Sequence, residues 1–178
     1  CFNVLPKNTP PIIEGSISNQ SFDEDDFIEI NLNDYITITS PNDEDESYTF
    51  NVVVDDSMLQ EYKDNIFIDT DGSFVSVPYV VIHADTNYNT ADEWVLMRVD
   101  ITDNGQDYVY GSGWEANPLT NSIYFNLQII PVSDAPTCLD INAVANEDTN
   151  ITNDIMCTDV ADETPPNEIR IIPLNTLP

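Results

Sequence analysis

Apolar and polar residues alternate along most of this chain. Residues 27–32 (FIEINL), 48–54 (YTFNVVV), 73–82 (SFVSVPYVVI), 94–102 (WVLMRVDIT) and 122–130 (SIYFNLQII) all follow period two. These runs are rich in Val, Ile, Tyr, Phe and Thr, and clusters of Gly, Asn, Asp or Pro separate them, which is the signature of half-buried strands. Helical spacing occurs once, in residues 55–65 (DDSMLQEYKDN), where Met58, Leu59 and Tyr62 share a side and predict a turn or two of helix. Five or more strands with turns between them predict an all-β, antiparallel Greek-key sandwich. Trp94 opens an alternating run and is expected in the core. His83 lies in an apolar run and reads as a strand residue, not a metal ligand.

The alternation stops at residues 131–136 (PVSDAP). Pro131 and Pro136 lack a backbone donor, so a ladder must end there and an exit linker begins. The chain then restarts in a familiar order. Pro-Ile-Ile at 11–13, an acidic DEDD at 23–26 and an acidic loop PNDEDES at 41–47 are echoed later. The echoes are Pro-Thr-Cys at 136–138, Asn-Glu-Asp at 146–148 and TDVADETPPNE at 158–168. This is an internal repeat, roughly in register. The expected division is a leader at 1–9, a complete sandwich at 10–135 and the start of a second, incomplete repeat at 136–178. So short a second piece cannot enclose a core of its own, so more chain or a partner chain is expected to complete it.

Composition narrows the function. Of 178 residues 41% are hydrophobic, which is enough for a core, yet 33 acids face 4 bases and the formal net charge is −29. Such a surface repels nucleic acid and anionic lipid headgroups, which are excluded as direct partners. The excess acid has two readings, a solvated surface or carboxylate clusters that hold cations. Three cysteines are present. Cys138 and Cys157 are either a disulfide that closes a short loop or two buried thiols. Cys1 is either the lipid-modified residue of a processed bacterial lipoprotein or simply where the sequence starts. No stretch is long and apolar enough for a membrane-spanning helix. Scarce lysine, frequent Asn and Thr and the cysteine pair favour a location outside the cytoplasm.

Three strings carry a resemblance: VDITDNG at 99–105, IYFNLQIIPVSDAPT at 123–137 and NEDT at 146–149. In this order and spacing the chain resembles the cadherin-like tandem repeats of large bacterial surface proteins and adhesins. The resemblance implies seven-stranded sandwiches strung end to end, with Ca²⁺ near their junctions. It places Glu24, with Asp25, and Asp134 at the bottom of one repeat, and Asp159 and Asp162 at the top of the next. It places Asp43, Asp45 and Asp103 in a separate cluster at the top of the first. Asp92 and Glu93 match an acidic pair of the family only loosely. The linker reads Ser-Asp-Ala-Pro and lacks the family's leading acid and asparagine, and the span 55–93 is longer than a compact repeat needs.

The chemistry of calcium bears independently on the loop at 42–46. Ca²⁺ takes about six to eight oxygens, mostly carboxylates and carbonyls. Residues 42–46 (NDEDE) offer acids at alternate positions of a loop, which is either a metal site or a solvated acidic turn, whereas 69–72 (DTDG) read better as a plain turn. A single histidine, no nucleophile elbow and no phosphate-binding loop argue against an enzyme. The long loop at 106–118, with Tyr108, Tyr110 and Trp114, either presents a contact surface or folds back on the sandwich. The expected function is an extracellular, calcium-binding stalk or adhesin module at the cell surface. Its expected partners are a cell-surface protein or glycan and the neighbouring repeats of its own chain. The alternative is a non-enzymatic subunit of a surface or secretion-associated assembly, anchored in the outer membrane through Cys1, with 138–178 docked on a partner.

Overall fold

The computed structural model describes residues 5–40, 47–70, 79–133 and two short strands at 137–138 and 157–158. The chain forms two compact units, Cys1–Ile130 and Pro131–Pro178. In chain order the first unit contains β1 (Ile12–Gly15), β2 (Gln20–Asp23), β3 (Phe27–Asn31), β4 (Ile36–Thr39) and β5 (Tyr48–Val54). Helix α1 (Gln60–Asn65), β6 (Ile66–Thr70), β7 (Tyr79–Ala84) and β8 (Val95–Asp103) follow. Then come β9 (Gln106–Val109), β10 (Gly113–Ala116) and β11 (Thr120–Ile130).

Two sheets enclose one core. The larger is ordered β2-β11-β8-β5 and the smaller β3-β7-β6. Strand β8 shows why. Val95, Met97, Val99 and Ile101 are fully enclosed, while Leu96, Arg98, Asp100 and Thr102 on the other parity are half-buried. Phe125, Leu127 and Ile129 of β11 join them from beside, and Ile30, Val80, Ile82 and Ile66 oppose them from the smaller sheet. Burying each such side chain contributes about 1.5–3 kcal/mol, so Met97→Ala, at the centre, would cost about 2–5 kcal/mol. β11 is antiparallel to β8 and parallel to β2, while β1 pairs with β4 in a separate two-stranded ladder. The all-β sandwich expected from period two is the observed fold.

Several details differ from expectation. Trp94 is 44% exposed; the inward phase of the strand begins at Val95, and Trp94 lies on the opposite parity. The helix is shorter than the run that predicted it. Tyr62 is buried and Met58 packs on the core, but Leu59 is 63% exposed because it is the residue that precedes the helix. Residues 106–118 are a hairpin of β9 and β10, not a loop. The expected leader is part of the first unit, since Asn8 is buried within it. His83 lies on β7, as a strand residue.

The described part of the second unit is one short ladder. β12 (Thr137–Cys138) runs antiparallel to β13 (Cys157–Thr158), with Thr137 opposite Thr158 and Cys138 opposite Cys157. In the first unit, Ile12 stands opposite Thr39 and Ile13 opposite Ile38. Aligning Pro11 with Pro136 superimposes the two registers, pair on pair. The second unit therefore reopens with the ladder of the first, and a cysteine pair stands where Ile13 and Ile38 stand.

Candidate functional site

The first unit carries polar clusters at both ends of β8. At the end where β11 finishes, the chain turns after β2 and places Glu24 and Asp25 side by side. The Glu24 amide donates to the Ile130 carbonyl at 2.8 Å, and the side chain is 5% exposed. The Asn89 amide donates to Glu24 Oε2 at 3.0 Å, and the Asn87 backbone N–H donates to Asp25 Oδ1 at 2.8 Å. Asp25, Asn87 and Ala91 have φ of 64°, 58° and 49°. Asp and Asn tolerate this left-handed region, but for alanine it costs about 1 kcal/mol. Ala91 is held there by its neighbours: its N–H donates to Asn89 Oδ1, and its carbonyl accepts from Gln128 Nε2. Thr90 ties the loop to β11 through Ile129 in both directions. Glu93 accepts the phenol of Tyr62. That bond, more than burial, pushes the Tyr62 hydroxyl up to about 12, while burial first of all pushes Tyr88 to about 12.

At the other end, β8 finishes on Asp103, whose position on the inward parity drives its carboxylate inside; it is 3% exposed. Its Oδ1 accepts three N–H groups: Asn8 Nδ2 at 2.8 Å, Leu119 N at 2.9 Å and Gly105 N at 3.0 Å. Its Oδ2 is buried without a hydrogen-bond partner. The second amide proton of Asn8 goes to the Asn117 carbonyl at 2.8 Å, which fixes the nitrogen toward Asp103. The Asn8 backbone N–H donates to Asp107 at 2.7 Å, and Tyr108 N–H donates to the Pro6 carbonyl. The bond from Asn8, helped by the charge of Lys7, holds Asp107 below the usual carboxylate range. The leader segment is thus clasped across the β9 end of the sandwich. The Asn104 side chain fastens the start of β5 by accepting from Ser47 N–H at 3.0 Å.

The site residues named from the sequence fall out as follows. Glu24 and Asp25 stand together at one end, and Asp103 stands at the other. Asp43, Asp45, Asp134, Asp159, Asp162 and Cys1 lie outside the described residues. Among the described residues, no three His, Cys, Asp or Glu side chains are placed to hold a metal ion. The fit to calcium differs between the ends. Asp103 Oδ1 is a hydrogen-bond hub for three N–H groups and its buried Oδ2 has none, while Asp43 and Asp45, which the resemblance groups with it, lie outside the described residues. Glu24 and Asp25 supply two neighbouring carboxylates, one of them buried. That is a beginning of a cation site and fewer oxygens than Ca²⁺ takes.

Two further features stand out. On the outer face of the larger sheet, Arg98 pairs with Asp55, Asp56 and Asp100 at 3.4, 3.2 and 3.1 Å. Arg98 lowers Asp56 first of all; Asp55 is lowered chiefly by hydrogen bonds from Ser57. The β9–β10 hairpin turns through Gly111 and Gly113 at φ of 92° and 91°, and it exposes Tyr110 (86%) and Trp114 (58%). Trp114 meets Tyr108 edge to face at 5.4 Å. Sequence reasoning followed the acids and missed Asn8, Asn87 and Asn89, the amides that organise them. No family model and no curated protein matches this chain.

Proposed function

We propose that this chain is a spacer module: one sandwich of a tandem array that holds a more distal part of a surface protein away from the cell. The observation that carries this reading is the repeated ladder. Thr137–Thr158 and Cys138–Cys157 reproduce, position for position, the pairs Ile12–Thr39 and Ile13–Ile38 that open the first unit. Serial repetition of one supersecondary unit is how chains build length. The net charge of −29 supports an individual, mutually repelling chain in place of a self-associating one.

Calcium is the finer part of the proposal, and it rests on Glu24 and Asp25. Bound there, Ca²⁺ would relieve the repulsion between adjacent carboxylates and stiffen the exit of the sandwich. What supports this part is the way neighbouring amides hold the two carboxylates. Asn89 orients Glu24, Asn87 orients Asp25, and the left-handed Ala91 turn holds the loop that carries both amides. The remaining ligands that the resemblance names, Asp134, Asp159 and Asp162, lie outside the described residues.

Both parts are tested on the full chain. Its melting midpoint and its cleavage by protease within residues 131–136 are compared in millimolar CaCl₂ and in excess chelator. A higher midpoint and slower cleavage with calcium are expected; equal values in both buffers would remove the calcium part alone. Light scattering addresses the spacer part. A monomer at micromolar concentration is expected, and an obligate oligomer would overturn the spacer reading.

A further inference from the structure

The two sheets of the first unit show different outer faces. On the larger sheet the outward face is mixed: Leu96, Val53 and Tyr124 share it with polar groups that satisfy one another, Thr102 bonding Thr120 at 2.7 Å, Ser122 bonding Asp100 at 2.6 Å, and Arg98 pairing with its acids. The smaller sheet is different. Its outward row, read across the register, is Phe27–His83–Phe67, followed by Glu29–Val81–Asp69 and then Asn31–Tyr79. Phe27, Tyr79 and Phe67 are 54%, 44% and 40% exposed. The His83 and Phe67 rings stack at 5.3 Å with 23° between their planes, and His83 Nε2 stands 3.8 Å from Asp69 Oδ2. An antiparallel sheet with one face on a core ordinarily turns a polar face to water. A row of rings in that place, Phe27–His83–Phe67, with Tyr79 two rows further on, is characteristic of an interaction surface.

The chemistry of the strip selects its occupant. We propose that the outer face of β3-β7-β6 docks an arginine-bearing segment of a partner protein. Flat aromatic faces take the guanidinium plane by stacking. Glu29 and Asp69, one on each flanking strand, accept its N–H pairs. None of the three strands contributes a lysine or arginine, so among their side chains His83, beside Asp69, is the one base near the acids, and Glu29 faces none. A second copy is a poor occupant, because each copy carries a net charge of −29 and would present the same acids. The surface uses neither Glu24 nor Asp25, so this inference does not rest on calcium.

A strongly acidic chain attracts any polycation, so the experiment must separate the strip from the field. The full chain is titrated with a labelled, end-blocked peptide of alternating Arg and Thr at physiological salt, followed by anisotropy; a Lys-Thr peptide is the comparison. A Phe27→Thr/Phe67→Thr variant keeps the net charge and the strand propensity, and neither side chain is in the core. The Arg peptide is expected to bind more tightly than the Lys peptide, and the variant to lose about tenfold in affinity for it, with its melting midpoint retained. Equal binding by wild type and variant would mean diffuse attraction and would overturn the proposal, as would failure of the Arg peptide to bind. So would a concentration-dependent dimer of the wild type that the variant abolishes, since that would make a second copy the occupant.

Discussion

Replacing Asn8 by alanine should destabilise the first unit far more than its position in a leader segment suggests. The side-chain amide makes two hydrogen bonds of 2.8 Å, one to the buried carboxylate of Asp103 and one to the Asn117 carbonyl. A bond to a charged acceptor contributes about 1.5–3 kcal/mol, and one to a carbonyl about 1 kcal/mol. Together they put the loss near 3 kcal/mol, a large fraction of a stability that is typically about 5–15 kcal/mol. For a unit of this size that is a fall in melting midpoint of about 10 °C. Near-UV circular dichroism of the full chain reports it. Gly105 supplies the internal control, because a Cβ there would stand 2.1 Å from Asn8 Nδ2 and 2.2 Å from its Cγ. Gly105→Ala should displace the asparagine and cost a similar amount alone, and much less in the Asn8→Ala background. The expected coupling is about 1–2 kcal/mol. An Asn8→Ala loss under about 0.5 kcal/mol, or strict additivity of the two changes, would refute the clasp.

Four further outcomes are expected. Non-reducing peptide mapping should recover Cys138 linked to Cys157, and reduction should remove about 3 kcal/mol from the second unit by freeing the loop between them. In alkali, Tyr62 and Tyr88 should ionise late by absorbance. Tyr62 and Tyr88 are pushed up to about 12, so their contribution to stability is complete below pH 10 and drains away as pH rises from 10 toward 12. In acid the sign reverses. Asp55, Asp56 and Asp107 are held low, so what they contribute is present above the ordinary carboxylate range and is lost as pH falls through their lowered values. Arg98→Met should remove mainly the Asp56 part of that acid limb in a midpoint-versus-pH series. Trp114→Ala should leave the melting midpoint unchanged, because the ring is mostly exposed; a glycan array with this variant tells whether the hairpin binds sugar.

Period two located the long strands because each buries one parity. Tyr48–Val54 is the same span in the sequence and in the fold, and Ile130 ends β11 where Pro131 removes the next donor. The phase of β8 was readable too. Arg98, Asp100 and Thr102 share the parity of Trp94, and that parity must face outward. Strands β1, β2 and β4 span four residues each and hold too few buried positions to show a period. The hairpin at 106–116 was hidden because its two strands bury little and its turn uses glycines that also suit a loop. The polar ends were the least readable part. Which of 33 acids are buried leaves no mark on the sequence, and Asn8 meets Asp103 across 95 residues of chain. Burial of Glu24 and Asp103 follows from where strands end, which only the assembled sheets decide.

The recurrence of one opening ladder in both units has a consequence for assembly. Neighbouring repeats with like edges can exchange strands, and domain swapping is the usual error of tandem arrays. Here a swapped ladder would set Ile13 against Cys157, or Cys138 against Ile38, and strand a thiol in each case. Oxidation would then lock in only the correctly matched ladder, and peptide mapping after a thiol-reactive dye is added during refolding should find label on Cys138 or Cys157 in the mispaired fraction alone, with Cys1 labelled throughout.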